Sequence, residues 1–157
     1  MKTILKLHQF STRFDDVISQ WGGAFLLLFL RCYVAWQFMH AGIIKLQNWP
    51  GTLQLFESEY HVPLLPPDLA AYVGAGGELF FPCLIILGLF ARPAAVGLLA
   101  VNAMAVISYP QLWEFECPAA INDHFYWSIL LITVAIFGAG RFSLDSVLKN
   151  NAARTSV

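Results

Sequence analysis

Charge is scarce in this chain. Only 12% of its 157 residues are Asp, Glu, Lys or Arg, 58% are hydrophobic, and the mean hydropathy is +0.63. A water-soluble domain of this length carries roughly twice that share of charge, so a soluble globule is excluded. Lys and Arg nowhere gather into a basic patch, which removes nucleic acid as a partner. Cysteine is equally sparse: Cys32, Cys83 and Cys117 are an odd number, and none stands in a C-x-x-C pair. With Cys117 alone expected on the outer side, neither an intrachain disulfide nor a dithiol relay is expected. No internal repeat or low-complexity tract is present.

What the chain has instead is long apolar runs. Residues 21–46, 69–90, 94–113 and about 121–140 form four of them, each near the ~20 residues that cross a bilayer as a helix. The fold class expected is all-α, a four-transmembrane-helix bundle spanning residues 21–148. A signal peptide is not expected at Trp21, because the run is too long, contains Arg31 and lacks a small-x-small cleavage site. Lys2, Lys6, Arg13, Arg92, Arg141, Lys149 and Arg154 fall on one side of this arrangement and only Lys45 on the other. By the positive-inside rule both termini are cytoplasmic. The opposite face is acidic, with Glu57, Glu59, Asp68, Glu114, Glu116 and Asp123. Trp21, Trp49, Trp113 and Trp127 fall near the interfaces, as an aromatic belt.

Outside the spans, residues 1–20 set Ile4, Leu5, Leu7, Phe10, Phe14, Val17 and Ile18 among Lys2, Lys6 and Arg13, the pattern of an amphipathic surface helix. Leu53, Phe56 and Tyr60 recur at helical spacing in the first outer loop, predicting a second short surface helix that ends before Pro63 and could lid the bundle. Residues 149–157 are expected to be a flexible tail. Ala91, Arg92 and Pro93 are the whole connection between the second and third runs, which are therefore antiparallel neighbours. The third run is rich in Ala and Gly, suiting close helix packing, and buries one polar residue, Asn102.

The candidate chemistry lies in the charges inside the runs, because an ionised group at bilayer depth costs from ~2.5 to over ~10 kcal/mol. Arg31, Ala35, Phe38, Gly42 and Lys45 share one helical face, so both cations and the gap at Gly42 point the same way. On the second run Gly74, Glu78, Phe81, Pro82 and Ile85 form the matching stripe. Counted from the inner ends, Arg31 is roughly 12 Å and Glu78 roughly 18 Å deep, a gap that an Arg31–Glu78 ion pair can bridge. Such a pair either fixes helix register or lines a charged pocket for an anionic or quinone-like ligand. Pro82 would kink its helix and free a carbonyl near Glu78.

A second cluster, in residues 114–124, brings together Glu114, Glu116, Cys117, Asp123 and His124. One Cys and one His match no closed zinc pattern, so the expectation there is a solvated acidic loop and no metal. Asp123 falls near a helix N-terminus, where a carboxylate is favoured. An unperturbed imidazole changes charge near neutrality, so His124, with Trp127 one turn on, could shuttle protons or flank a ring-shaped ligand. His40 reads as interfacial, and Cys32 and Cys83 as small core residues.

R-x6-F-x3-G-x2-K at Arg31, Phe38, Gly42 and Lys45, GGE at Gly76, Gly77 and Glu78 leading to G-x3-R-P-A-A at Gly88 and Arg92, and G-A-G-R-F-S-L-D over residues 138–145 together resemble the DoxX/DoxD family of four-helix membrane proteins. The resemblance covers about residues 20–148. The family takes its name from the membrane subunit of a thiosulfate:quinone oxidoreductase, and some members resemble partners of secreted sulfur or redox enzymes. Others, with an outer segment like residues 114–124, are encoded beside enzymes that modify cysteine-rich metal-binding peptides, and this chain is most similar to those.

The resemblance and the residues together imply a bacterial inner-membrane subunit passing electrons from a sulfur or thiol donor, carried by a secreted or periplasmic partner, to membrane quinone. Arg31 and Lys45 would hold the anionic reduced ligand beside the space at Gly42, with Trp127 flanking it. Glu78 would handle the proton, and His124 with Asp123 would gate the outer mouth. The alternatives are a non-catalytic anchor or assembly subunit, in which the charges only set packing, and a small-solute or metal transporter, which the lack of an inverted repeat disfavours.

Overall fold

The computed structural model describes residues 2–12, 15, 18–114 and 118–155. Seven α-helices occur among the described residues: α1 (Lys2–Ser11), α2 (Gly23–Gln47), α3 (Trp49–Ser58), α4 (Pro67–Leu87), α5 (Ala91–Ser108), α6 (Ala119–Phe137) and α7 (Leu144–Thr155). A π-helical turn, Ile18–Gly22, leads into α2, and a 3-10 turn, Pro110–Trp113, follows α5. Arg13, Phe14 and Val17 of the N-terminal stripe lie outside the described residues, as do Glu116 and Cys117.

Four stretches are long and apolar enough to cross a membrane: Ile18–Gln47, Pro67–Leu87, Ala91–Ser108 and Ala119–Phe137. Only 28, 33, 33 and 11% of their most apolar windows is buried within the protein. Phe29, Trp36, Tyr72, Phe80, Ile107, Phe125 and Ile136 all point outward, an apolar exterior that needs lipid rather than water around it. Inside, the main core is built largely of small residues, Ala35, Ala91, Ala94, Ala95 and Ala139, around Val34, Phe38, Ile85, Leu98, Leu131 and Val134. α2 packs on α4, α4 on α5, α5 on α6, and α6 back on α2, closing a ring of alternating direction. One end of the bundle, the terminal end, carries the start of α2, the start of α7 and the turn at residues 88–90; the loop end carries α3 and the Pro110–Trp113 turn.

Helix ends follow local chemistry. Asn48 stops α2 and caps α3, its Oδ1 accepting from Gly51 N at 3.2 Å. Gly88, at φ +65, ends α4 in the left-handed conformation that only glycine takes without strain. The third apolar run, predicted helical over 94–113, stops at Ser108 because Pro110 cannot continue an α-helix. The fourth, predicted to reach residue 140, stops at Phe137, where Gly138 turns to φ +80. Residues 149–155, predicted as a flexible tail, continue α7, whose first turn is held by Ser143 Oγ accepting from Ser146 N at 3.2 Å.

Candidate functional site

Lys45 and Glu78 form the ion pair at the heart of the bundle. Lys45 Nζ donates to both Glu78 oxygens, at 2.9 and 2.7 Å, and the two side chains are 15 and 11% exposed. The predicted Arg31–Glu78 pair is not formed. A helical side chain leans toward its own helix's N-terminus, and α2 and α4 run in opposite directions. Lys45 and Arg31 therefore both lean toward the terminal end and Glu78 toward the loop end. Glu78 leans to meet Lys45 and away from Arg31.

Arg31 finds carbonyls instead. Its Nη1 donates to Ala139 O at 3.0 Å and its Nη2 to Phe142 O, both in the link from α6 to α7. Gly88 makes room for it, since a Cβ there would collide with the Arg31 guanidinium and with Ser143. Beside it, Asp145 accepts from Phe90 N at 2.9 Å and Ala91 N at 3.1 Å, satisfying the first N–H groups of α5 from another element. The motif over residues 138–145 thus closes the terminal end.

Toward the loop end, Lys45 and Glu78 line a cavity of about 360 Å³ between α4 and α5, roofed by Phe56, Tyr60 and Val62. Its other walls are apolar or small, with Phe81, Gly97, Ala100 and Val101 among them, and the exposed Val73 and Met104 mark an opening on the lipid-facing side. Ser108 also lines it; the residue is 1% exposed, and its Oγ has no hydrogen-bond partner among the described residues. Phe56, Tyr60 and Tyr109 stack in series over this space, with centroids 4.6 and 5.0 Å apart. His61 N donates to Ser108 O at 2.7 Å and Tyr109 Oη to Glu59 at 3.2 Å, fastening the roof to the end of α5. Burial, then the charge of Glu78, pushes the Tyr60 phenol up to about 12.

The remaining sequence candidates do not line this cavity. Gly42 is not a gap: Leu79 and the Cβ of Glu78 fill it, a Cβ on Gly42 falling 2.9 Å from Leu79 Cγ, so the glycine lets α2 and α4 approach. His124 Nδ1 lies 2.6 Å from Asn102 Oδ1, and Asn102 Nδ2 donates to His124 O and Ser128 Oγ, both at 2.9 Å. Trp127 packs edge-on to His124 and to Phe38, while Asp123 is exposed. Asn102 occupies a different face of α5 from Val101 and Ala105, so this polar cluster ties α5 to α6 behind the cavity. Tyr60, Ser108 and Asp145 are the functional candidates that sequence reasoning passed over. Asp145 lay inside a quoted motif, and Tyr60 on a recognised apolar stripe.

These features define a multi-pass membrane protein of four apolar helices with a charged pair opening onto a lateral cavity. The DoxX family profile matches residues 26–110, which include all of α4 and α5 and most of α2. A Haemophilus influenzae relative, described as an uncharacterized protein, is 31% identical over 133 residues, covering 82% of this chain and 86% of that one. The chain belongs to the DoxX family. No solved structure gives a significant match.

Proposed function

We propose that this protein is a quinone-linked oxidoreductase subunit of a bacterial inner membrane, with both termini cytoplasmic and the cavity open toward the outer leaflet. One observation carries the reading. The Lys45–Glu78 pair and the Ser108 hydroxyl, which has no partner among the described residues, line a cavity whose remaining walls are mostly apolar and which opens toward lipid. Apolar walls with a few convergent polar groups suit a small lipid-soluble ligand with a polar ring.

When bound, a quinone accepts two electrons and two protons and becomes the quinol; two donor thiols supply both as they join in a disulfide. The chain's own groups bind and move protons. Lys45 has three N–H donors, of which Glu78 takes two, leaving one for a ring oxygen. Glu78 holds the proton exchanged at that oxygen. Tyr60, protonated across the physiological range, presents an O–H from the roof. Arg31, His124, Trp127 and Asp123 act from outside the cavity: Arg31 fixes the terminal end, and His124 fixes Asn102 and hence α5. The donor side would be a secreted or periplasmic thiol partner at the acidic loop end, and the resemblance of residues 114–124 implies a cysteine-rich peptide or the enzyme that modifies it.

The test is purification in mild detergent, solvent extraction and mass spectrometry. Wild-type protein should carry quinone, and Ala100→Trp, which fills the cavity while sparing the ion pair, should not. A quinone-free wild-type protein that also fails to reduce added quinone with dithiol donors overturns the reading. A second reading, a non-catalytic anchor subunit, is favoured by the way both Glu78 oxygens are already satisfied by Lys45. If a Lys45→Met/Glu78→Gln protein folds and keeps full cellular activity, the anchor reading holds and the redox reading fails.

A further inference from the structure

At the opposite end of the bundle lies a second cavity, of about 490 Å³, that the charged pair does not touch. It is bounded by the start of α5, the end of α6 and the first turns of α7, and Arg92, Arg141 and Lys149 all line it. Asp145 is the one carboxylate in its wall, and both of its oxygens already accept from Phe90 N and Ala91 N. Among the described residues, three cations therefore face one carboxylate, already capped by backbone N–H groups, around a concave space.

The surroundings place this space at the level of lipid headgroups. The Arg141 guanidinium sits 4.8 Å above the Trp21 ring, and the Phe142 ring packs 4.9 Å from Phe25 and 6.3 Å from Trp21. Tryptophan with arginine at the end of an apolar span is the signature of the membrane–water interface. Phe90 and Phe137, on the cavity rim, are 64 and 67% exposed and face outward where acyl chains would run. The exposed Arg92 side chain runs along the backbone of Gly138, where a Cβ would come within 3.3 Å of its Nε, which sets the guanidinium beside the cavity wall.

We infer that this cavity binds the phosphate headgroup of an anionic phospholipid, its acyl chains lying along the exposed Phe90 and Phe137. A basic pocket between helix ends at the interface recognises such headgroups through several charge-assisted contacts. The bound lipid would also join the start of α5 to α7.

Native mass spectrometry of the full chain, released from micelles containing equal phosphatidylglycerol and phosphatidylcholine, tests this. Wild-type protein should retain phosphatidylglycerol preferentially, and Arg92→Gln/Arg141→Gln/Lys149→Gln should lower its retention by about fivefold per cation removed. The Lys6→Gln/Arg154→Gln control, which alters exposed cations outside the cavity, should retain it as wild type does. Equal retention of the two lipids, no loss in the triple variant, or the same loss in the control overturns the site. Displacement of the lipid by millimolar inorganic phosphate would assign the pocket to free phosphate and overturn the lipid proposal. Single Arg92→Gln and Lys149→Gln variants, each of an exposed side chain, decide the matter if the triple variant does not accumulate.

Discussion

Lys45 Nζ reaches both carboxylate oxygens of Glu78, at 2.9 and 2.7 Å, across two antiparallel helices that Gly42 allows to touch. The pair is anchored from both sides, since each side chain leans toward the other along its own helix.

Breaking the pair from one side should cost more than removing it. Lys45→Met leaves a buried carboxylate uncompensated and should lower stability by about 3–5 kcal/mol. Lys45→Met/Glu78→Gln, with no charge left, should recover most of that loss. Thermal unfolding of each variant in one detergent checks the order; a double variant as unstable as the single would show that the pair does not act as a unit.

Arg31 should not tolerate lysine. Its guanidinium reaches two carbonyls at once, Ala139 O and Phe142 O, and an ammonium lacks the planar fork for both. Arg31→Lys should lose about 1.5–3 kcal/mol, the worth of one charged hydrogen bond. Because these carbonyls are at the terminal end, the folded Arg31→Lys protein should bind quinone with wild-type affinity. A selective loss of quinone binding at unchanged melting temperature would contradict that placement.

Gly42→Ala places a methyl 2.9 Å from Leu79 Cγ and 3.1 Å from Glu78 Cβ. Leu79 can turn its terminal Cδ2, 3.0 Å away, but the Glu78 Cβ is fixed to its backbone, so α2 and α4 must separate, at a cost of about 1–3 kcal/mol. The variant should melt lower, and quinone retention should fall with it as Glu78 shifts. Gly76→Ala, where a Cβ meets nothing within 4 Å, is the matched control and should be near neutral.

Tyr60 gives a pH signature. Its phenol is raised from the ordinary 10.0 to about 12, chiefly by burial. The folded state therefore holds this proton more tightly than the unfolded state, and the stabilisation is complete below pH 10 and lost as pH climbs through about 12. Ultraviolet titration should show a late phenolate transition that Tyr60→Phe diminishes, the remainder coming from Tyr109, which burial and then Glu59 also raise. An unchanged titration curve in Tyr60→Phe would refute the assignment.

The helical faces were legible in the sequence because 3.6-residue spacing fixes direction around a helix. Arg31, Ala35, Phe38 and Gly42 are all buried, and Lys45 turns the same way, as their spacing requires. Pairing was not legible, because depth counted along the axis ignores the lean of side chains, and that lean gave Glu78 to Lys45 rather than to Arg31. Nor could spacing reveal Asp145 reaching Phe90 and Ala91, or Ser108 left without a partner among the described residues beside the cavity, since both depend on elements distant in sequence. His124 stood out for its chemistry, yet its tie to Asn102 required knowing that α5 and α6 pack at that register.

Arg31 and its acceptors lie 108 and 111 residues apart in the chain. During synthesis the first span enters the membrane long before residues 139–142 leave the ribosome, so Arg31 must wait in lipid or in the insertion machinery with its donors unmet. Release of the last helix is then the event that commits the first one to its depth. Chains truncated after Phe137 should accordingly leave the first span poorly anchored, detectable as raised protease or alkaline-extraction sensitivity, whereas chains truncated after Leu148 should insert normally.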